Sequence, residues 1–106
     1  MGANWFETIA YGKTARDAFT KAINEAQYMH GHAGYTGTIA EKDTFVPIKL
    51  PKYHTPESYA RELERNDDSR IADKWGPCGC IEYPEDLKKR NKNKEKAYLF
   101  FGWASS

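Results

Sequence analysis

Between Thr14 and His30 the apolar residues fall at Ala15, Ala18, Phe19, Ala22, Ile23 and Ala26. That spacing of three and four is one face of an α-helix. Arg16, Lys21, Asn24 and Glu25 fall on the other faces. A stripe made mostly of alanine lets a helix lie close on a flat neighbour, with Phe19 and Ile23 as the large anchors. Such a stripe cannot form a core alone, so the rest of the chain must supply a sheet for it. Thr14 is the expected N-cap, and Asp17 stands at the capping-box spacing, its carboxylate able to reach the cap's own N–H. Gly31 offers the left-handed C-terminal position that glycine takes at no steric cost.

The sheet is expected from five segments. Trp5 to Tyr11 is aromatic and β-rich, and Gly12 stops it. Thr36 to Lys42 is predicted as a second strand and Phe45 to Leu50 as a third, kept at an edge or made irregular by Pro47 and Pro51. Thr55-Pro56 opens a short helix to about Arg65, with Tyr59 and Leu63 as its only sizeable apolar residues. Asn66 to Ser69 breaks it, and Ile71 to Trp75 is predicted as a turn of helix. Gly76 to Cys80 is a glycine-bounded entry into a strand at Cys80 to Tyr83. Ala97 to Trp103 is apolar on both faces, which predicts a central strand. These segments make one α+β domain over residues 1–106. It is a small antiparallel sheet of about four to five strands, packed by one main amphipathic helix plus a short second helix.

Composition narrows the function classes. Apolar residues make up 40% and charged residues 29% of the 106, so the chain is globular rather than disordered. A formal net charge of +1 speaks against both a free nucleic-acid binder and an acidic nucleic-acid mimic. With three Trp, seven Tyr and five Phe, a small core cannot hide every ring, and some are expected on the surface. Cys78 and Cys80 are separated by one residue and give no disulfide framework. The first residues lack a basic segment followed by an apolar run, and Phe6 stands where a myristoylation motif needs Ser or Thr. No apolar run approaches a membrane span, so a cytoplasmic protein without a membrane partner is expected.

Four constellations carry candidate chemistry. Gly12-Lys13-Thr14 sits between strand and helix, where a phosphate loop ends, but Glu7 occupies the position that loop needs as glycine. The expected reading is a strand end and a capped helix. His30, His32, Cys78 and Cys80 have the donor types of a tetrahedral zinc site. Their single intervening residues are short for one, so no metal or other cofactor is expected and zinc stands as the alternative. Lys88, Lys89, Arg90, Lys92, Lys94 and Lys96 make the segment 85–96 net +3 while the rest of the chain is −2. No aromatic residue is interleaved to stack a base, which favours a solvated hairpin loop, with a patch for an acidic partner as the alternative. Tyr35, Trp75, Tyr98 and Trp103 lie near glycines or chain ends. With Gly34, Gly37 and Thr38 they are candidates for a pocket taking a nucleotide-like molecule, for an interface, or simply for the core. His54 has no adjacent nucleophile, and Glu62 and Glu64, two apart, share no helix face, so no enzyme is expected.

Phe19 through Lys42, centred on Tyr28 to Lys42, resembles small proteins encoded by phages and prophages. Asp73 to Pro77 and Phe100 to Ala104 add to the likeness, which covers about half the chain. The resemblance carries no activity and no site residues. It implies a phage accessory context, in which small neutral proteins act on the host by binding, for example as inhibitors of bacterial immune systems. The expected function is therefore inhibition of a host defence component by occupying a surface, with the partner a host protein or effector complex. Sequestration of a nucleotide-like signal is the alternative, and the oligomeric state is left open.

Overall fold

A computed structural model describes residues 2–31, 34–84 and 95–106. The element order is β1 (Ala3–Gly12), α1 (Ala15–His30), a 3-10 turn (Ile39–Glu41), β2 (Phe45–Pro47), α2 (Pro56–Arg65), β3 (Cys78–Glu82) and β4 (Lys96–Ser105). The four strands form one sheet in the order β1-β4-β3-β2. The β1–β4 and β4–β3 pairs are antiparallel, as expected, whereas the short β2 runs parallel to β3. The sheet is thus mixed within an α+β fold. A parallel neighbour needs a crossover, and the stretch containing α2 supplies it.

Each face of the sheet is covered by one helix. Phe6, Ala10, Cys78, Cys80, Tyr98, Phe100 and Ala104 pack with Ala18, Phe19 and Ala22 of α1. Ile81, Ala97, Leu99 and Phe101 pack on the other side with Ala60 and Leu63 of α2 and with Ile48 and Ile71. Two covered faces require apolar residues at successive positions of a central strand, and β4 is that strand. Along β3, Gly79 lies directly across from Phe101. A Cβ at Gly79 would stand 2.4 Å from Cζ of Phe101, so the ring occupies the space a side chain would take.

The main helix forms as its pattern predicts, with one difference at each end. The Thr14 side chain accepts from the Asp17 N–H at 3.1 Å. The Asp17 carboxylate turns past the cap and accepts from the Lys13 N–H at 3.4 Å. At the far end Gly31 has positive φ (81°) with ψ at −175°, outside the left-handed helical region but still glycine territory. Gly12 is required by packing: a Cβ there would lie 2.6 Å from the Ala18 nitrogen in the first turns of α1. The close seating of helix on strand end accounts for the glycine of Gly12-Lys13-Thr14.

Two predicted elements differ. The segment 36–42 is a turn and a 3-10 helix rather than a strand. Its side chains hydrogen-bond their own backbone and so outcompete a ladder: Thr38 Oγ1 accepts from the Ala40 N–H, and Glu41 folds back on Thr36. Residues 71–75 form turns rather than helix, because Asp68 and Asp73 each accept a hydrogen bond from the N–H two residues ahead. α2 has the expected short frame, with Thr55 and Ser58 exchanging both capping bonds at 3.1 Å. Among the described residues no helix is long and apolar enough to cross a membrane.

Candidate functional site

At one end of the sheet two turns meet. The first carries Gly34, Tyr35, Thr36, Gly37 and Thr38, with Gly34, Tyr35 and Gly37 all at positive φ. For Tyr35, at φ 58°, this is uncommon, and its neighbours hold it there. The Thr36 N–H donates to Glu41 Oε2 at 3.0 Å and the Thr36 hydroxyl to the same oxygen at 2.7 Å. The Gly37 N–H donates to the Ser105 carbonyl at 2.8 Å, tying the turn to the end of β4. Burial pushes the Glu41 carboxyl up, but hydrogen bonds from the Thr36 backbone, the Thr36 hydroxyl and the Tyr35 backbone outweigh it and leave the group below its ordinary value.

The second turn spans Asp73 to Gly76. The Gly76 N–H closes it on the Asp73 carbonyl at 2.9 Å, and the Trp75 N–H donates to Asp73 Oδ1 at 2.9 Å. Lys42 joins the two turns. Its side chain is 3% exposed, and Nζ donates to the carbonyls of Lys74 at 3.1 Å and Gly76 at 2.9 Å. Burial holds its ammonium below the ordinary lysine value, with Cys78 and Asp73 acting in the opposite direction.

The result is an aromatic pair standing in solvent on a hydrogen-bonded base. Tyr35 and Trp75 meet edge to face with centroids 6.0 Å apart, yet remain 55% and 60% exposed. Lys74 Nζ lies 5.2 Å from the Trp75 ring centre and donates to the Gly2 carbonyl at 3.2 Å. Large rings held in one arrangement lose little entropy when a partner covers them.

The predicted site residues divide accordingly. Gly34, Tyr35, Gly37, Thr38 and Trp75 are gathered at this end. Trp103 belongs elsewhere: it meets Trp5 edge-on at 5.4 Å, beside Phe101 on the α2 face. Tyr98 is buried under α1. Lys88, Lys89, Arg90, Lys92 and His32 lie outside the described residues. Cys78 and Cys80 are free thiols buried in the α1-side core, and burial pushes each up to about 12, favouring the neutral thiol. Among the described residues, His30 included, no group of three or more His, Cys, Asp or Glu is arranged to hold a metal ion. Lys42, Asp73 and Lys74 went unseen in the sequence, because their roles depend on a contact between segments more than thirty residues apart.

The turn offers little to a phosphate. The N–H groups of Thr36, Gly37, Ala40 and Glu41 already donate within the protein. The adjoining 230 Å³ cleft is lined by Gln27, Gly31, Gly34 and Ala40 together with the acidic Glu41 and Asp43. A second arrangement has the connectivity of a hydrolytic triad: Ser58 Oγ is 3.4 Å from His54 Nδ1, and His54 Nε2 is 3.8 Å from Glu62. Its serine is a helix cap, accepting from the Thr55 N–H and lying 3.1 Å from the Thr55 carbonyl as donor. A hydroxyl engaged at both ends is poorly placed as a nucleophile. No family model, curated protein or solved structure matches the chain.

Proposed function

We propose that this chain is a binding protein that acts by covering a surface of another protein, with Tyr35 and Trp75 as the anchors. The supporting observation is the exposed edge-to-face pair on a base fixed by Lys42. Trp and Tyr dominate interface energies, and here they need no rearrangement to be presented. The phage and prophage likeness extends the reading to a host partner: a bacterial defence component, in the host cytoplasm, inhibited by occlusion. The basic residues Lys88, Lys89, Arg90 and Lys92 would then steer an acidic partner toward the surface.

A nucleotide-like ligand is the second reading. The committed N–H groups and the acidic cleft beside Gly34 favour protein contact over it. Tagged wild-type protein and a Tyr35→Ser/Trp75→Ser variant, passed over bacterial lysate, test the proposal. A host protein held by the wild type and lost by the variant is expected. Equal retention by both would remove the aromatic pair from the interface. A melting-temperature shift with a nucleotide, and none with any lysate protein, would turn the assignment to the second reading.

A further inference from the structure

The outer edge of the sheet at β1 presents a row of backbone groups with no partner among the described residues. Gly2 and Ser106 exchange both backbone hydrogen bonds, at 3.2 and 3.1 Å, and the β1–β4 register continues from them without a bulge. In an antiparallel ladder every second residue is bonded to the neighbour. The even-numbered residues of β1 therefore bond to β4. Ala3, Trp5, Glu7, Ile9 and Tyr11 turn their N–H and C=O outward, and no turn or loop bond among the described residues reaches them.

Proteins guard such edges with shortness, proline, lysine or a bulge. The opposite edge has two of these guards: β2 spans only three residues and ends in Pro47. β1 runs for ten residues with neither Pro nor Lys. Its one charged side chain, Glu7, is drawn aside by Arg61 Nε at 3.5 Å and Trp5 Nε1 at 2.9 Å.

We infer that β1 is a pairing edge at which a second copy of this chain adds its own β1 antiparallel, continuing one sheet through two molecules. Side-chain chemistry selects the register. Outward-facing residues must oppose outward-facing residues. A two-fold axis at Glu7 would set two carboxylates face to face, and one at Thr8 would set Glu7 against Ile9. With the axis at Ile9, the exposed large apolar residue of the strand (39% exposed) packs on its own copy. Glu7 then lies opposite Tyr11, so that no carboxylate faces another across the two-fold axis. The inference does not depend on the function proposed for the Tyr35–Trp75 pair.

Sedimentation and cysteine cross-linking test the inference. The wild type is expected to rise with concentration from a 12.2 kDa monomer toward twice that mass. Ile9→Pro removes an outward N–H and the exposed isoleucine side chain but no hydrogen bond to β4, so it should keep the wild-type circular dichroism while its dimer dissociation constant rises at least tenfold. Directly opposed residues of this kind have Cα atoms about 5.5 Å apart, within disulfide reach. Ile9→Cys should therefore cross-link between copies at least tenfold faster than Glu7→Cys, whose two copies are offset along the strand. Wild-type protein that stays monomeric to about 1 mM, where binding is worth only ~4 kcal/mol, would overturn the inference. So would equal dimerisation by Ile9→Pro, or equal cross-linking at positions 7 and 9. A foreign strand bound at β1 by a monomeric wild type would assign the edge to a different occupant and equally refute self-pairing.

Discussion

Lys42→Met removes the ammonium that joins the two turns and leaves the aliphatic stem. The wild-type Nζ is buried and donates to the carbonyls of Lys74 and Gly76. Hydrogen bonds from a charged donor contribute about 1.5–3 kcal/mol each. Against that stands the desolvation of the ammonium, a penalty of several kcal/mol that methionine does not carry. The two largely offset, and the net cost lies in the carbonyls left without a donor. The 73–76 turn is at the surface, so water can reach part of the gap. A loss of about 1–3 kcal/mol is expected, the range for one unsatisfied buried group. For a domain of this size that lowers Tm by roughly 5–20 °C in a calorimetric or fluorescence melt. Hydrogen exchange at the Trp75 and Gly76 amides should accelerate by more than the global loss accounts for, because the turn loses its tether locally. Unchanged Tm with unchanged exchange at these amides would refute the assignment of Lys42 as the joint between the turns.

Other consequences follow from single contacts. Gly79→Ala places a methyl against the Phe101 ring and should destabilise by about 1–3 kcal/mol in denaturant titration, whereas a tolerated alanine would mean the ring is free to move. Glu41 lies below its ordinary value in the folded chain, so it contributes stability that is present above the unfolded carboxylate value and lost as pH falls through the lower, folded one. Glu41→Gln should therefore flatten the stability profile below about pH 4, and an unchanged acid limb would contradict the Thr36–Glu41 clasp. The thiols of Cys78 and Cys80, pushed up to about 12 by burial, should label at neutral pH only as fast as the protein opens. Rapid labelling of native protein would refute their place in the core.

Local periodicity made much of the fold legible. The alanine stripe identified α1 and its buried face, and the unbroken apolar run of β4 announced a strand covered on both sides. Thr55-Pro56 marked the start of α2 because capping chemistry is local. The failure at 36–42 has the opposite cause. Thr36 and Thr38 alternate as they would in a strand, yet with Glu41 their side chains satisfy one another and the backbone. The direction of β2 was illegible because a three-residue strand carries no mark of the neighbour it will join. At the site, Tyr35 and Trp75 could be suspected from their neighbouring glycines. Their meeting could not, because it depends on Lys42 crossing to a turn formed far along the chain.

The most direct test of the binding surface is the affinity of a purified, lysate-identified partner for wild-type protein and for the Tyr35→Ser/Trp75→Ser variant, measured by calorimetry on samples of equal thermal stability. Two anchors of at least ~2 kcal/mol each would weaken binding by several hundredfold or more, and that loss is the predicted result. A variant that binds within about threefold of wild type, a difference under ~1 kcal/mol, would show that the partner contacts the protein elsewhere.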